Sequence, residues 1–385
     1  MKKYNYIIIG AGIAGCSLAY FLKQSSSSVL LIEKNSDVAL GASGAAGAFL
    51  SPLLGLENSL KTLVAEALEF SMNIYQKEFG EFLSNYGTLR IPEDKEDEKK
   101  FEKYENFMDF PYEKRENGYF FPIGSVVNSY GICKGLIKDV ETLFDYEVLK
   151  IVQNSDNFWV INNEIQADKL FLCTGADISL ITEKYFDIRA IWGQRIDILS
   201  STQTLYNMHK ECSISKSKKE GNKNRISIGA THHRFEQEPK NTSYSLKIKN
   251  LNKIEHNDET KKIIEQDNIE LLKKANDILK LDNVEVVDVK LGARASSIDY
   301  FPMVGELIDS EKSFAKYPHI KNGTHIVDEN LITIKNLYTL NGVGARGFVL
   351  SLYLANSLAK FIFDGKKIDD NIANYRLFRR WAKKL

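Results

Sequence analysis

Tyr4-Asn5-Tyr6-Ile7-Ile8-Ile9-Gly10-Ala11-Gly12-Ile13-Ala14-Gly15 opens the chain, and its reading decides the fold. Tyr4 to Ile9 has the β-branched and aromatic character of a buried strand. The glycine-rich turn that follows leads into a helix predicted from Ile13 to Lys23. Ser25 to Ser28 then turn into a second strand, Val29 to Ile32, which ends at Glu33. G-x-G-x-x-G alone is a weak signal, but with a strand before it, a helix after it and an acid about twenty residues on, it specifies dinucleotide binding. Gly10 permits the turn, Gly12 lets a pyrophosphate approach the backbone, and Gly15 lets helix and strand close up. Unbonded N–H groups at the helix start meet phosphate charge, and Glu33 can bind ribose hydroxyls. A carboxylate at that position disfavours NADP, whose 2′-phosphate it would repel.

The rest of the composition sets limits. Lys+Arg and Asp+Glu both number 51 in 385 residues, so no global field announces nucleic acid, and contact with a polyanion would need a local basic patch. Cys16, Cys133, Cys173 and Cys212 lie far apart without a C-x-x-C, which argues against zinc or a redox dithiol and for reduced thiols in a cytoplasm. No metal site is expected. Lys2-Lys3 before an apolar run, with Ile13-Ala14-Gly15-Cys16, imitates a lipoprotein signal, but the run before Gly10 is too short for a signal core. No other segment approaches the roughly 20 apolar residues of a membrane span, and no membrane partner is expected.

Helical periodicity is predicted over 59–82 and 259–281, with a solvated surface helix over 93–105. Strands are predicted at 148–152, 159–161 and 170–173, the last running into Thr174-Gly175-Ala176. Two more, 189–199 and 225–231, are assigned to a different sheet, with a mobile loop over 210–225 between them. Strand 284–291, a loop over 292–305, strand 337–340 and helix 348–363 follow, and a basic tail closes the chain. There is no internal repeat.

Gly342-Val343-Gly344-Ala345-Arg346-Gly347 repeats the G-x-G-x-x-G spelling between a strand and a helix. A second NAD(H) site would need a further apolar strand ending in an acid, and none follows. The motif reads instead as close backbone approach to the other end of the same cofactor, with a helix N-terminus stabilising negative charge there. Five segments in order then resemble the D-amino-acid oxidase family of FAD enzymes. They are the Gly10 turn with Glu33, Gly41-Ala42-Ser43-Gly44, Leu172 to Ala176, Gly292-Ala293-Arg294 through Asp299 to Gly305, and Gly342 to Gly347. Arg189 to Gln194 and Phe121 to Gly124 are similar to further segments of that family.

The resemblance implies an α/β fold: a Rossmann-like FAD-binding domain of glutathione-reductase type with an inserted mixed-sheet α+β substrate domain. The FAD domain is expected to be discontinuous (1–82, 125–182, 288–385), with 83–124 and 183–287 forming the substrate domain. It implies a cofactor site at Gly10, Gly12, Ile13, Ala14, Gly15, Glu33 and Lys34, joined by Ala42, Ser43, Gly44, Val148, Thr174, Gly175 and Ala176, and closed by Gly344, Ala345, Arg346, Gly347 and Phe348. No cysteine stands near Gly344 to Phe348, so the FAD is expected to be non-covalent. Within the family, Gly41 to Gly44 with Leu50-Ser51-Pro52-Leu53-Leu54, the loop 299–305 and Gly344 to Gly347 resemble the branch that oxidises a modified wobble uridine of tRNA, removing a carboxymethyl group as glyoxylate. Ala45-Ala46 depart from the more polar residues expected there, which bears on substrate placement. The methyl-transfer half of that branch is not in this sequence, so a separate methyltransferase is the expected partner, alongside tRNA and oxygen or another electron acceptor.

Amine oxidation beside a carboxylate needs orientation more than acid or base. Arg294 is the candidate for holding that carboxylate, since guanidinium binds it bidentately; the alternative is a structural ion pair. Arg346 is the second candidate catalytic residue, beside substrate or flavin. His232-His233 are unsuited to one metal, because adjacent strand residues face opposite ways, and a surface or substrate-rim role is favoured. Arg376, Arg379, Arg380, Lys383 and Lys384 form one basic patch, and Lys216, Lys218, Lys219, Lys223 and Arg225 another; either binds RNA or is solvated charge. Phe378 and Trp381 are expected to pack a helix. Two other functions stay open: an oxidase of a free amino acid (glycine, sarcosine or a D-amino acid) and a non-catalytic RNA-binding module.

Overall fold

The computed structural model describes residues 1–26, 28–234, 245–248 and 258–385. Strand β1 (Lys2–Ile9), helix α1 (Ile13–Ser25) and strand β2 (Val29–Ile32) form the opening unit. β1 lies parallel between β2 and the strand Ile165–Leu172, with Ile9 opposite both Ile32 and Leu172. These central strands are apolar on both faces because helices cover one side and the C-terminal segment the other. On one face α1 packs with Ser59–Glu78 and Gly347–Asp364; on the other Ile7, Ile9 and Leu172 meet Tyr185 and Phe378. Thr333–Asn341 extends the sheet in parallel from Leu170–Leu172, and Met303–Ile308 pairs antiparallel with it. The ends of β1, β2, Ile165–Leu172 and Thr333–Asn341 therefore converge on one edge, where open α/β sheets carry their ligands.

The second sheet has ten strands, built around Ile188–Ser200 and Glu285–Ser297, antiparallel from Ile188 opposite Ser297 to Leu199 opposite Glu285. The loop expected over 292–305 begins later, because this strand continues to Ser297 and so crosses the boundary expected at 287. Gly292, Ala293, Ala295 and Ser296 lack a strand-like hydrophobic alternation, yet small side chains suit a closely paired interior ladder. The loop expected over 210–225 also contains strands, Ser213–Ile214 and Lys218–Glu220, the latter folding back on Lys223–Gly229 through Gly221. All three residues of Lys218–Glu220 are exposed, which is why their polarity hid the hairpin.

Other boundaries shift by a few residues. The helix expected over 59–82 stops at Glu78, and Asn58 caps it by accepting from Lys61 N. The acidic-basic surface helix is Lys95–Tyr104, capped by Asp94. Strand 148–152 shrinks to Ile151–Gln153, while Asp258–Asn276 is helical. Gly344–Asp364 is long and apolar enough to cross a membrane, and half of that window is buried, against α1 and Ser59–Glu78. Phe378 is fully buried and Trp381 packs beside it against Phe314. All four cysteines are free and buried.

Candidate functional site

Gly10 takes φ +106°, and a Cβ there would stand 2.4 Å from the Cys173 carbonyl oxygen. The turn thus seats directly on the neighbouring strand. Gly12 caps α1, whose first N–H groups have no intrahelical acceptor. One of them, Ile13 N–H, donates to Ser43 Oγ at 2.9 Å, which ties the Gly41 to Gly44 turn to the helix start. Glu33 is held at the end of β2: Oε2 accepts from Ala11 N at 2.7 Å and Oε1 from Asn35 N at 3.0 Å.

A cavity of about 620 Å³ runs from this turn into the second sheet. Gly10, Gly12, Ile13, Ala14, Glu33 and Lys34 line one end, with Ala42, Ser43 and Val148. Thr174, Gly175 and Ala176 line it too, and Gly344, Ala345, Arg346, Gly347 and Phe348 face the same space. Both glycine-rich motifs thus serve one cavity. Lys34 is ion-paired with Asp177 at 2.9 Å. Gly15 and Gly44 stand behind this lining. A Cβ on Gly15 would fall 1.8 Å from the Gly10 oxygen, and one on Gly44 1.9 Å from the Ala39 oxygen, so both glycines serve packing around the cradle.

The far end is cationic. Arg294, on Glu285–Ser297, donates from Nη1 and Nη2 to the Thr231 carbonyl at 3.3 Å and forms no salt bridge with a carboxylate among the described residues. Burial pushes it down to about 10. The structural ion-pair reading of this residue finds no acid among the described residues. Thr231 is fixed in turn: its hydroxyl donates to Asp267 at 2.8 Å, and the same carboxylate takes His233 Nε2 at 2.8 Å. His233 is thus turned toward Asp267, while His232 lines the cavity. Burial first, then Arg294, lowers the His232 imidazole below its usual value, which favours the neutral form. Among the described residues no group of three metal-ligating side chains occurs.

Arg90 and His209 line the same end and carried no signal in the sequence. They sit opposite each other on the paired strands Thr88–Arg90 and Asn207–His209. Burial, then Arg346, pushes Arg90 down to about 10; burial, then Arg90 and Arg346, pushes His209 down to about 3. Arg346 is itself lowered by burial. Arg195, also unforeseen, crosses from the second sheet to the Ala46 carbonyl. The chain at Ala45-Ala46, where polar residues were expected, is therefore used through its backbone.

Half of the ten basic-patch residues are engaged. Arg376 grips Asp299 through two 3.0 Å bonds, and Arg379 pairs with Asp328. Arg225 pairs with Glu220, Lys223 with Glu285, and Lys216 lies 3.3 Å over the Tyr86 ring. Arg380, Lys383, Lys384, Lys218 and Lys219 remain exposed.

A glycine cradle at a helix N-terminus, an acid at the end of the second strand and one continuous cavity fit a dinucleotide laid across the sheet edge. The class defined by this geometry is a dinucleotide-dependent enzyme with the catalytic end walled by a second sheet. Residues 5–361 match the family described as FAD dependent oxidoreductase (DAO), and the chain belongs to that family. Its cofactor is FAD.

Two relatives carry the description tRNA 5-methylaminomethyl-2-thiouridine biosynthesis bifunctional protein MnmC. That of Legionella pneumophila (strain Corby) is 26% identical over 369 residues, covering 89% of this chain and 51% of that protein. That of Shewanella amazonensis is 24% identical and covers 100% of this chain and 60% of the relative. The chain thus spans about half the length of the Legionella protein. Among solved structures, glycine oxidase from Bacillus cereus aligns with a TM-score of 0.70 at 17% identity over 98% of both chains. Iminodiacetate oxidase from Chelativorans sp. BNC1 aligns at 0.66 and 16% identity, over 95% of this chain and 96% of that one. These likenesses establish the fold.

Proposed function

We propose that this chain oxidises a secondary amine on tRNA, removing the carboxymethyl group of a carboxymethylaminomethyl-uridine at the wobble position as glyoxylate and leaving the aminomethyl-uridine. The observation that carries the reading is Arg294: a guanidinium without a carboxylate partner among the described residues, in the same cavity as the dinucleotide cradle. The MnmC likeness supports the tRNA substrate.

Bound FAD supplies the acceptor for two electrons and the α-hydrogen of the substrate. The chain's own residues do the rest. Arg294 takes the substrate carboxylate bidentately and so fixes the adjacent carbon. The ammonium form must lose its proton before its nitrogen lone pair can assist, and the buried Arg294 and Arg346 guanidiniums of the same cavity disfavour a further positive charge there; His232, held below its usual value by burial and then Arg294, lines that cavity in its neutral form. The resulting C=N bond adds water and breaks into glyoxylate and a primary amine. Gly10, Gly12 and Ala14 would hold the pyrophosphate, Glu33 the ribose, and the backbone of Gly344 to Phe348 the other end of the cofactor. A separate methyltransferase would act on the product, and oxygen or another electron acceptor would take up the two electrons.

A second reading, oxidation of a free amino acid such as glycine or sarcosine, is favoured by the fold shared with glycine oxidase. The two separate in one anaerobic experiment that follows flavin bleaching. Bleaching by tRNA carrying the modified uridine at micromolar concentration, and not by unmodified tRNA, supports the first. Bleaching by glycine or sarcosine alone overturns it.

A further inference from the structure

The cavity carries more positive charge than one carboxylate can use. Arg294 is anchored on the Thr231 carbonyl, and burial holds its guanidinium below the usual value. Arg90 and Arg346 form a separate pole, close enough that Arg346 depresses Arg90 and both depress His209. Arg90 donates once, from Nη1 to the Pro52 carbonyl at 3.1 Å, and its buried Nε has no hydrogen-bond partner. Among the described residues the Arg346 side chain has neither hydrogen bond nor ion pair. Glu211, a cavity carboxylate two residues beyond His209, faces Lys274 at 3.8 Å. Two neighbouring guanidiniums in a half-buried wall are costly until an anion joins them.

We propose that Arg90 and Arg346 form a second anion subsite, which holds another anionic oxygen group on the same molecule whose carboxylate Arg294 holds. The inference rests on the proposed amine oxidation. On a tRNA substrate the second group is a backbone phosphate flanking the wobble nucleoside, and forked guanidinium donors match phosphate oxygens. The enzyme then reads a nucleotide rather than a nucleoside. On a free amine the same pole would take a second carboxylate.

The test is an anaerobic titration of the FAD-loaded protein, following perturbation or bleaching of the flavin spectrum. The probes are 5-carboxymethylaminomethyluridine, its 5′- and 3′-monophosphates, sarcosine and iminodiacetate. One monophosphate is expected to bind at least tenfold tighter than the nucleoside, and in Arg90→Met that ratio should fall to near one. Arg90→Lys keeps the charge and should retain part of the ratio; the wild-type comparison stands even if Arg90→Met fails to fold. A preference for iminodiacetate over sarcosine that depends on Arg90, without a phosphate preference, upholds the subsite and assigns its anion to a small dicarboxylate. If the uridine probes leave the flavin untouched while sarcosine bleaches it, the wobble reading fails and the iminodiacetate arm alone judges the subsite. Wild-type protein that distinguishes neither monophosphate from nucleoside nor iminodiacetate from sarcosine overturns the proposal.

Discussion

The guanidinium of Arg294 lies across Gly193: a Cβ on Gly193 would stand 2.2 Å from Nη2 and 2.6 Å from Cζ. The residue directly opposite Arg294 in the ladder is Ile191, so the side chain crosses diagonally to reach the Thr231 carbonyl. An alanine at 193 must push the guanidinium off that carbonyl. Gly193→Ala is therefore expected to raise KM for the amine substrate roughly tenfold to a hundredfold, the scale of an ångström misplacement at a reacting centre. Steady-state kinetics, with flavin content checked by visible absorbance, measures it; a KM within twofold of wild type would remove Arg294 from its assigned role.

Asp267 positions this apparatus without lining the cavity. It is 2% exposed and accepts from both Thr231 and His233. Asp267→Asn leaves one of those donors facing an amide N–H, with an expected stability loss of about 1–3 kcal/mol. Denaturant unfolding reads that loss. A simultaneous rise in KM larger than the fall in kcat would mark displacement of Arg294, whereas a stability loss with unchanged KM would confine Asp267 to the fold.

Substitution at Gly10 combines a positive φ with a backbone collision at the Cys173 oxygen, whereas Gly221, in the exposed turn after Lys218–Glu220 and outside the cavity, has φ +62° and no atom within 4 Å of an added Cβ. Gly10→Ala is expected to purify without flavin or to fail to fold. Gly221→Ala should cost only the left-handed strain of roughly 1–2 kcal/mol and retain yellow colour. The FAD-to-protein ratio checks both, and a fully loaded Gly10→Ala protein would contradict the cradle.

Acid should weaken the fold through His209, whose folded value of about 3 lies below the ordinary 6.5 because of burial and then Arg90 and Arg346. Below pH 6.5 the unfolded chain takes up a proton that the folded chain refuses. Stability therefore falls with pH, by at most about 1.4 kcal/mol per unit from this residue. In His209→Gln that contribution disappears, so urea midpoints of the two proteins should converge or cross between pH 7 and pH 5. Parallel curves would show that the imidazole charges freely. An anion held by Arg90 and Arg346 offsets their push on His209 and should make the wild-type slope shallower.

Local signals carried the half of the site that binds the cofactor. The Gly10 turn, Glu33 and Gly344 to Phe348 are each written in a few contiguous residues, because a helix start and its phosphate are local geometry. Gly15 and Gly44 are read from the same motifs and stand against the Gly10 and Ala39 carbonyl oxygens, a close packing that spacing does not distinguish from contact with a cofactor. Arg90 and His209 were silent because their meaning lies in a pairing between strands far apart in sequence, where Thr88–Arg90 is only three residues long. Arg294 was found by resemblance yet placed on a loop, since Gly292 to Ser297 is too small-sided to look like a strand.

The walls of the cavity begin at Ile9 and are not complete until Phe348. A growing chain can form the β1–α1–β2 unit early, but that unit presents its phosphate cradle to open solvent, with the opposing wall still unsynthesised. At about 5–20 residues per second, tens of seconds separate the two ends of the site. Flavin capture thus waits on Phe348 long after its phosphate cradle has been made, and a nascent chain that ends short of that residue has half a grip.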